Sequence, residues 1–300
     1  MSEEGGFNKI TIIGVGLIGG SIGLTLKTAG LKNKIVGVDN LSTIEKAMRL
    51  GAIDEGTDKL LIGIQNADLI ILATPISSIL KLLSEIAPHL KTNCLVTDTG
   101  SVKAEIVEMA NRILPAHVDF IGGHPMAGSE KSGIDAASEQ LFKGKPFILV
   151  PLKKTKKNTL KTMIEIIELL GAFVLVMDAG EHDRIAAAVS HLPQLLSVSL
   201  VNLSGFLAEK ENNENFYYAF GSAFADMTRI AASTFDIWKD IYTTNNEIVI
   251  EMIEKFKDNL DKMVEKLKNN PNDLEEDFMR ANQLKKCYSR DMDVIKKQND

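Results

Sequence analysis

A glycine-rich turn between an apolar strand and a helix is the feature that most constrains the fold of this chain. Residues 10–13 are largely apolar, and residues 14–19 then read Gly-Val-Gly-Leu-Ile-Gly. A second apolar segment, residues 34–38, ends at Asp39. Glycines at these spacings permit a tight turn, close approach of backbone N–H groups to a pyrophosphate, and close packing of the helix on the strand. The segment therefore predicts a dinucleotide-binding unit.

The acidic residue after the second strand indicates which dinucleotide is bound. Asp39 lies 20 residues beyond Gly19, where a carboxylate can accept hydrogen bonds from the adenosine ribose hydroxyls. The same carboxylate would repel a 2′-phosphate, and no arginine follows it immediately. We therefore predict NAD rather than NADP. The expected cofactor contacts are Gly14, Gly16, Leu17, Ile18, Gly19, Asp39, Thr74, Pro75 and Ser101.

Short apolar segments recur through the first 178 residues, with helical segments between them. They comprise residues 68–73, 94–98, 119–122, 146–150 and 173–177. Apolar strands that alternate with helices predict a doubly wound, mostly parallel α/β sheet of the Rossmann type. We assign residues 1–178 to this NAD-binding domain.

The pattern changes near Asp178, where a capping sequence predicts the start of a helix. No strand pattern recurs beyond it, and four segments have helical periodicity: residues 181–208, 222–232, 235–268 and 272–297. We therefore assign residues 179–300 to an all-α domain that binds substrate and forms a dimer.

The stretch at residues 185–208 is uncharged and could be mistaken for a membrane span. It contains His191, Gln194, Asn202 and several serines, which are costly in lipid. We expect a helix that is kinked at Pro193 and buried against a second subunit, because two-fold homodimers are the commonest assemblies.

Charge and cysteine content narrow the possible partners. The net charge of −6 argues against nucleic acid and anionic membranes as partners, and it requires a local cationic pocket for any anionic substrate. Cys94 and Cys287 are far apart and match no metal-binding spacing, so we predict no metal site. Reduced thiols and the absence of a signal-peptide core at the N-terminus predict a cytoplasmic protein.

Polar segments follow several of the predicted strands, at the edge of the sheet where ligands bind in such folds. His124 is our candidate base, because an imidazole can accept a proton near neutral pH. The alternative is a loop histidine that bonds only to backbone. Ser101 could orient His124 or contact the nicotinamide, but a serine before residues 102–105 favours a helix cap, and both roles can coexist.

The helical half offers three further candidates. His191, close to Pro193, is either a core histidine or a substrate ligand. Arg229 follows Asp226 by three residues on one helix face. It forms either an ion pair with Asp226 or, poised by Asp226, a bidentate contact with a substrate carboxylate. Trp238 has packing as its default role. His89, His117 and His182 receive no role.

Five segments together resemble the prephenate dehydrogenase family in its dehydrogenase-only form. They are residues 14–21 (GVGLIGGS), 98–103 (DTGSVK), 123–130 (GHPMAGSE), 190–194 (SHLPQ) and 226–231 (DMTRIA). The histidine-containing segments are more specific than the glycine-rich turn, and the resemblance extends over about residues 7–285. It implies a Rossmann domain, a helical dimerisation domain, and NAD-dependent oxidative decarboxylation of prephenate to 4-hydroxyphenylpyruvate in tyrosine biosynthesis.

The resemblance also implies roles for individual residues. The residue matching His124 takes the proton of the ring hydroxyl, and the one matching Ser101 supports it near the nicotinamide. The one matching Arg229 binds a substrate carboxylate, and the one matching His191 shapes the substrate pocket. The full expected substrate set is Arg229, His191, Ser129, Glu130 and Trp238.

Three alternatives remain open at this point. A substrate with two carboxylates requires a second cation, which Lys131 or a residue of the partner subunit could supply. Without a second cation, the preferred substrate would be arogenate, whose side chain carries an amine. A β-hydroxyacid dehydrogenase would rely on a lysine in the first long helix of the second domain, and residues 185–208 contain none. A non-catalytic NAD-binding protein would not need His124, Ser101 and Arg229 together.

Overall fold

The computed structural model describes residues 7–128 and 131–298, and its contacts divide the chain into two compact units. The first unit extends to Asn245, and the second begins at Asn246. Ser129 and Glu130, which we expected near the substrate, lie outside the described residues.

An eight-stranded sheet with the order β3-β2-β1-β4-β5-β6-β7-β8 forms the centre of the first unit. Every neighbouring pair is parallel except β6 and β7, which confirms the predicted doubly wound, mostly parallel sheet. The strands are β1 Lys9–Ile13, β2 Lys34–Val38, β3 Glu55–Thr57, β4 Leu69–Leu72, β5 Leu95–Asp98, β6 Asp119–Pro125, β7 Pro146–Pro151 and β8 Phe173–Val176. The edge strand β3 carries no apolar side chain, so the hydrophobic pattern did not predict it.

Helices cover both faces of the sheet because successive strand residues point in opposite directions. Ile10 and Ile12 of β1 belong to one apolar cluster, and Ile13 belongs to the other. The first cluster includes side chains of the helices Leu17–Thr28 and Lys157–Leu169, and the second includes side chains of the helices Ile76–Ile86 and Ala104–Ile113. The helices up to β8 are α1 Leu17–Thr28, α2 Leu41–Arg49, α3 Leu60–Ile64, α4 Ile76–Ile86, α5 Ala104–Ile113 and α6 Lys157–Leu169.

The long helix after the sheet begins as the sequence predicts and contains a π-helical turn before Pro193. Asp178 accepts a hydrogen bond from the backbone N–H of Glu181 at 2.9 Å, which confirms the predicted helix start. The π-helical turn occupies Ala187–His191, and the N–H of Leu192 donates to the oxygen of Ala187, five residues earlier. The predicted irregularity near Pro193 therefore takes the form of a widened turn.

The helices of the first unit after β8 are α7 Ala179–Ala186, α8 Leu192–Glu211, α9 Asn215–Tyr218, α10 Ser222–Thr228 and α11 Phe235–Thr244. With the π-helical turn between them, α7 and α8 cover the expected residues 181–208, whereas the later helices are shorter than the sequence pattern indicated. A 3-10 turn at Arg229–Ala232 replaces the end of the helix expected at residues 222–232. The continuous helix expected at residues 235–268 is wrong, since α11 ends at Thr244. The reason is Asn245, whose buried side chain donates to the backbone oxygen of Asp183 at 3.0 Å.

The segment Ala179–Glu211 is long and apolar enough to cross a membrane by length and composition alone, with 28% of its most apolar window buried. Several of its large apolar side chains are exposed; Val189 is 60% and Phe206 is 58% accessible. The second unit consists of α12 Asn246–Asn269, a 3-10 turn at Pro271–Leu274 and α13 Glu275–Gln298. Lys266 of α12 pairs with Asp277 of α13 at 2.6 Å.

Candidate active site

A cavity of about 390 Å³ opens at the carboxyl ends of β5 and β6, within the size range of small-molecule sites. Ser101 and His124 reach it from the sheet, and Arg229 and Trp238 reach it from the helical region. The structure therefore brings together four side chains that are distant in sequence. The remaining lining residues include Ile18, Thr99, Pro125, Met126, Ala127, Gly128, Val189, Ser190, Ile230, Ser233, Ile237 and Ile241.

The backbone before His124 is fixed tightly against the end of β5. A Cβ at Gly123 would come within 2.4 Å of the backbone oxygen of Asp98, so only glycine fits there. The N–H of Gly123 donates to the Asp98 carboxylate at 3.2 Å. The close approach of the two strands therefore fixes where the imidazole enters the cavity.

A fully buried ion pair lies beneath the same loop. The ammonium of Lys103 contacts the carboxylate of Asp98, which also accepts the N–H of Gly100 at 2.8 Å. Burial lowers the pKa of Lys103, while the charge of Asp98 opposes that shift. The pair ties the loop that carries Ser101 to the end of β5.

Ser101 does not cap the following helix, so that alternative is wrong. Helix α5 starts at Ala104, with Lys103 at the N-cap position. The acceptor at this helix start is Asp183, whose carboxylate receives the N–H of Lys103 at 2.7 Å and of Ala104 at 2.9 Å. Ser101 lines the cavity instead.

Two residues that the sequence analysis passed over connect His124 to the helical region. Nδ1 of His124 lies 2.8 Å from Nε2 of His182, and Nδ1 of His182 lies 2.7 Å from Oδ1 of Asp183. All three side chains are buried. The alternative that His124 bonds only to backbone is wrong. The adjacent Glu181-His182-Asp183 in a predicted first helical turn was the available signal.

The environment keeps the candidate base neutral. Burial lowers the pKa of His124 well below its ordinary value of 6.5, and the nearby His182, Lys103 and His191 lower it further. A neutral imidazole has a lone pair with which to accept a proton. The structure therefore supplies His124 in the form that a general base requires.

His191 lies behind the cavity and does not line it. It is fully buried, its Nδ1 is 3.3 Å from Nδ2 of Asn245, and its Nε2 has no hydrogen-bond partner among the described residues. Burial lowers its pKa to about 4. Its ring meets Trp238 edge-on at 6.3 Å between centroids. Its contact with the cavity is therefore indirect, through Trp238.

The lining tryptophan is held by further aromatic and polar contacts. Trp238 stacks on Tyr242 with 5.7 Å between ring centroids. The hydroxyl of Tyr242 donates to the side-chain oxygen of Gln194 at 2.6 Å, which joins α11 to α8. These contacts hold the Trp238 ring at the side of the cavity.

Arg229 has no carboxylate partner among the described residues, so the expected alternative of an ion pair with Asp226 is wrong. The reason is local: α10 ends at Thr228, and Arg229 begins a 3-10 turn. Its guanidinium is exposed at the cavity. Among the described lining residues, Arg229 is the one lysine or arginine.

The glycine-rich turn has the shape that a dinucleotide needs. Gly14 has φ +89°, and a Cβ there would lie 2.6 Å from the oxygen of Ala73. A Cβ at Gly16 would meet no atom within 4 Å, so open space remains where a pyrophosphate would approach the start of α1. Asp39 accepts the N–H of Val15 at 2.8 Å, which places its carboxylate beside this turn. These residues fit the cofactor.

The second expected cofactor segment, Thr74 and Pro75, lies at the end of β4, immediately before helix α4. Helix α4 begins at Ile76 with Pro75 at the N-cap, and the side chain of Thr74 makes no capping hydrogen bond. Thr74 instead packs its methyl group against Gly14. Asp240 of α11 accepts the N–H of Ser77 at 2.8 Å, so the acceptor comes from the helical region.

Potential metal ligands and cysteine thiols are the other reactive groups of the molecule. No three His, Cys, Asp or Glu side chains are grouped as potential metal ligands in the ranges 7–128 and 131–298. Cys94 and Cys287 are both free thiols. Burial raises the pKa of Cys94 to about 12, which makes its thiol unreactive.

Two family models cover most of the chain. Residues 22–176 match the nucleotide-binding domain of prephenate dehydrogenase, and residues 178–283 match its dimerization domain. A prephenate dehydrogenase of Lactococcus lactis subsp. cremoris is 42% identical over 86% of this chain and 71% of its own length.

Solved structures show the same similarity. A prephenate dehydrogenase from A. aeolicus, crystallised with hydroxyphenyl propionate and NAD⁺, superposes with a TM-score of 0.86 at 33% identity. The match covers 95% of this chain and 99% of that one. An arogenate dehydrogenase from Synechocystis has a TM-score of 0.81 at 30% identity, over 93% and 99% of the two chains.

Proposed function

Because this chain belongs to the prephenate dehydrogenase family, we propose that its cavity oxidises and decarboxylates prephenate with NAD. The product is 4-hydroxyphenylpyruvate, a precursor in tyrosine biosynthesis. One observation carries the proposal: His124, a neutral base, and Arg229, a cation without a carboxylate partner among the described residues, line the same cavity.

The reaction needs little more than orientation and proton transfer from the protein. The substrate is a cyclohexadienol with a ring carboxylate and a pyruvyl side chain. NAD, when bound, supplies the hydride acceptor. His124 takes the proton of the ring hydroxyl as the carbinol C–H bond breaks, and the ring carboxylate leaves as CO₂. The electrons of the broken C–C bond complete the aromatic ring, which supplies the driving force.

Each lining side chain has a part in this scheme. Arg229 binds a substrate carboxylate, and a guanidinium can do so through two parallel hydrogen bonds. Trp238 provides an apolar face for the ring. Ser101 lines the same cavity as His124, and we assign it to support His124 near the nicotinamide. His191 supports Trp238 from behind, while Ser129 and Glu130 stay predictions because they are outside the described residues.

Cofactor binding is assigned to the turn after β1 and the ends of the neighbouring strands. Gly14, Gly16 and Gly19 admit the pyrophosphate, and Leu17 and Ile18 begin the helix that faces it. Asp39 selects NAD over NADP through the ribose hydroxyls. Thr74, Pro75 and Ser101 complete the predicted set.

The helical region is assigned to substrate binding and dimer formation, with the boundary between domains at residue 178. The match to a dimerization-domain model and the exposed apolar side chains of α8 support a homodimer. We place that surface against a second copy rather than in a membrane, and we assign the protein to the cytoplasm. Its net charge of −6 does not favour nucleic acid.

Arogenate is the second candidate substrate, and one observation favours it. Among the described lining residues, Arg229 alone carries a fixed positive charge, whereas prephenate has two carboxylates. Arogenate carries an amino group on its side chain, which reduces the need for a second cation. A residue of the partner subunit would reverse this preference.

Parallel steady-state assays with both substrates and both nucleotides test the proposal. We expect NAD reduction with prephenate, with one CO₂ and one 4-hydroxyphenylpyruvate formed for each NADH. A larger kcat/KM with arogenate would assign the second candidate. Failure of both substrates with both nucleotides would overturn the proposed function.

A further inference from the structure

We propose that His182 and Asp183 form a positioning relay that holds His124 with its proton on Nδ1 and its Nε2 lone pair toward the cavity. The proposal rests on the assignment of His124 as the base. Neither His182 nor Asp183 lines the cavity, so both would act through His124.

The fixed end of the relay is the carboxylate of Asp183. It is buried, and it accepts the backbone N–H groups of Lys103 and Ala104 at the start of α5. These two bonds prevent the carboxylate from rotating. An ionised carboxylate only accepts hydrogen bonds, so the 2.7 Å contact requires a proton on Nδ1 of His182.

The proton on Nδ1 determines the role of the other nitrogen of His182. In a neutral imidazole only one nitrogen carries hydrogen, so Nε2 of His182 is an acceptor. It lies 2.8 Å from Nδ1 of His124, which must then be the donor. His124 is therefore left with a lone pair on Nε2, the nitrogen that does not take part in the relay.

A charged His182 would reverse this outcome. It would donate from Nε2 to Nδ1 of His124 and leave the proton of His124 on Nε2. That nitrogen would then have no lone pair with which to accept the substrate proton. The hydrogen-bond geometry supports the first arrangement, because Asp183 already accepts two backbone N–H groups and one further proton, on Nδ1 of His182, completes its donors.

The relay also prepares the site for the charge that appears during reaction. When Nε2 of His124 accepts the substrate proton, the new imidazolium donates from Nδ1 to Nε2 of His182. His182 in turn donates from its Nδ1 to the Asp183 carboxylate. Other charged or titratable groups around His124 are Lys103 with Asp98 on one side and His191 on the other. Lys103 is compensated by Asp98, so Asp183 is the anion that remains to stabilise the imidazolium.

The relay makes His182→Gln and His182→Leu different in effect. The glutamine oxygen can accept from Nδ1 of His124 and preserve its tautomer, whereas leucine leaves that N–H without an acceptor. We expect His182→Leu to lower kcat by about 10- to 100-fold, part of what general base catalysis contributes, with KM changed less than about twofold. His182→Gln should retain most of the activity.

Nitrogen NMR of the full-length protein provides a readout that a merely structural role would not move. With ¹⁵N-labelled histidine, His124→Gln identifies the signals of His124. We expect a protonated Nδ1 and a lone-pair-bearing Nε2 in the wild type and in His182→Gln, and a mixed or reversed tautomer in His182→Leu. His117→Gln is the matched control, because His117 lies outside the cavity and should change neither readout.

The outcomes separate the relay from the proposed function. A wild-type His124 protonated on Nε2 would overturn the relay, as would equal kcat for His182→Leu and wild type. If neither substrate is oxidised, the proposed function fails, and the tautomer spectra alone decide the relay. If His182→Leu does not fold, the wild-type spectrum and the retained activity of His182→Gln still decide it.

Discussion

The sheet and the helical region that follows it, residues 179–245, differ in the side chains that they bury. The sheet and its helices bury isoleucine, leucine, valine and phenylalanine on both faces. The buried residues of the helical region include six polar ones: His182, Asp183, His191, Gln194, Ser197 and Asn245. Its large apolar side chains, such as Leu203, Phe206 and Phe235, are more than half exposed.

This difference indicates that the two regions contribute different parts of the active site. The sheet has an apolar core on both faces and can position the cofactor turn by itself, whereas the side chain of His124 is also held by His182 of the helical region. The helical region places polar groups behind the cavity and leaves an apolar surface that a second copy would cover. Chemistry thus depends on polar side chains from the second region meeting a base from the first.

The largest effect is expected from the substitution that removes the base contributed by the sheet. His124→Ala should lower kcat by about 10²- to 10⁴-fold with a modest change in KM, because the base is lost while the substrate contacts remain. Stopped-flow or steady-state measurement of NADH formation tests this fall in kcat, with His117→Ala as the control. Near-normal turnover would show that the base lies elsewhere.

The next largest effect is expected from the substitution that removes the cation contributed by the helical region. Arg229→Ala should raise KM by about 10- to 100-fold and leave kcat within a few-fold, since a charge-assisted contact contributes about 1.5–3 kcal/mol. Arg229→Lys should recover only part of the loss, because an ammonium cannot make the bidentate contact. A fall in kcat without a change in KM would contradict the assigned role.

The exposed apolar surface of α8 can be tested by adding charge. Phe206→Glu should weaken the dimer by about 1.5–3 kcal/mol, the value of one buried aromatic side chain, and shift the mass toward the monomer on dilution. Light scattering measures this shift. Gln65→Glu, which adds the same charge on the exposed surface beside the sheet, should leave the mass unchanged.

Loss of NAD binding in Phe206→Glu would contradict the independence of the sheet. Retained binding with a changed mass would support the division described above.

Buried histidines make the stability of the helical region depend on pH. The pKa of His191 is lowered to about 4 in the folded chain, so the unfolded chain takes up the proton first as pH falls. Stability is therefore complete above pH 6.5 and falls between 6.5 and 4, by about 2 kcal/mol at pH 5. Urea unfolding at several pH values measures the slope.

His191→Gln should flatten that slope, whereas the same change at the exposed His89 should not. An unchanged slope in His191→Gln would assign the pH dependence to the other buried imidazoles.

The smallest effect concerns cofactor choice within the sheet. Asp39→Asn should reduce the preference for NAD over NADP by about 10-fold, because repulsion of the 2′-phosphate is removed. The ratio of kcat/KM for the two nucleotides measures it. Asp58→Asn, at an exposed position on the surface, is the control. An unchanged ratio would show that Asp39 does not contact the ribose.

The sequence predicted the sheet well because a strand buried on both faces must be continuously apolar, as Leu69–Leu72 is. It missed β3, which pairs through backbone alone. It predicted that His124, Ser101 and Arg229 would matter, but residue types alone could not tell the capping role of Ser101 from its place in the cavity. The real cap, Asp183, comes from a distant helix.

The same limit explains His182 and the interruption at Asn245. Both depend on contacts across 50 or more positions, His182 with His124 and Asn245 with His191. No local periodicity records such contacts. A buried polar pair in a first helical turn was the available sign, and it also fits an ordinary helix start.

A crystal structure of the full chain with NAD and 4-hydroxyphenylpyruvate tests most directly that the two regions share one active site. We predict the phenolic oxygen within hydrogen-bond distance of Nε2 of His124, and the product carboxylate within hydrogen-bond distance of the Arg229 guanidinium. A product bound to only one of these groups, or seated in another cavity, would contradict the account.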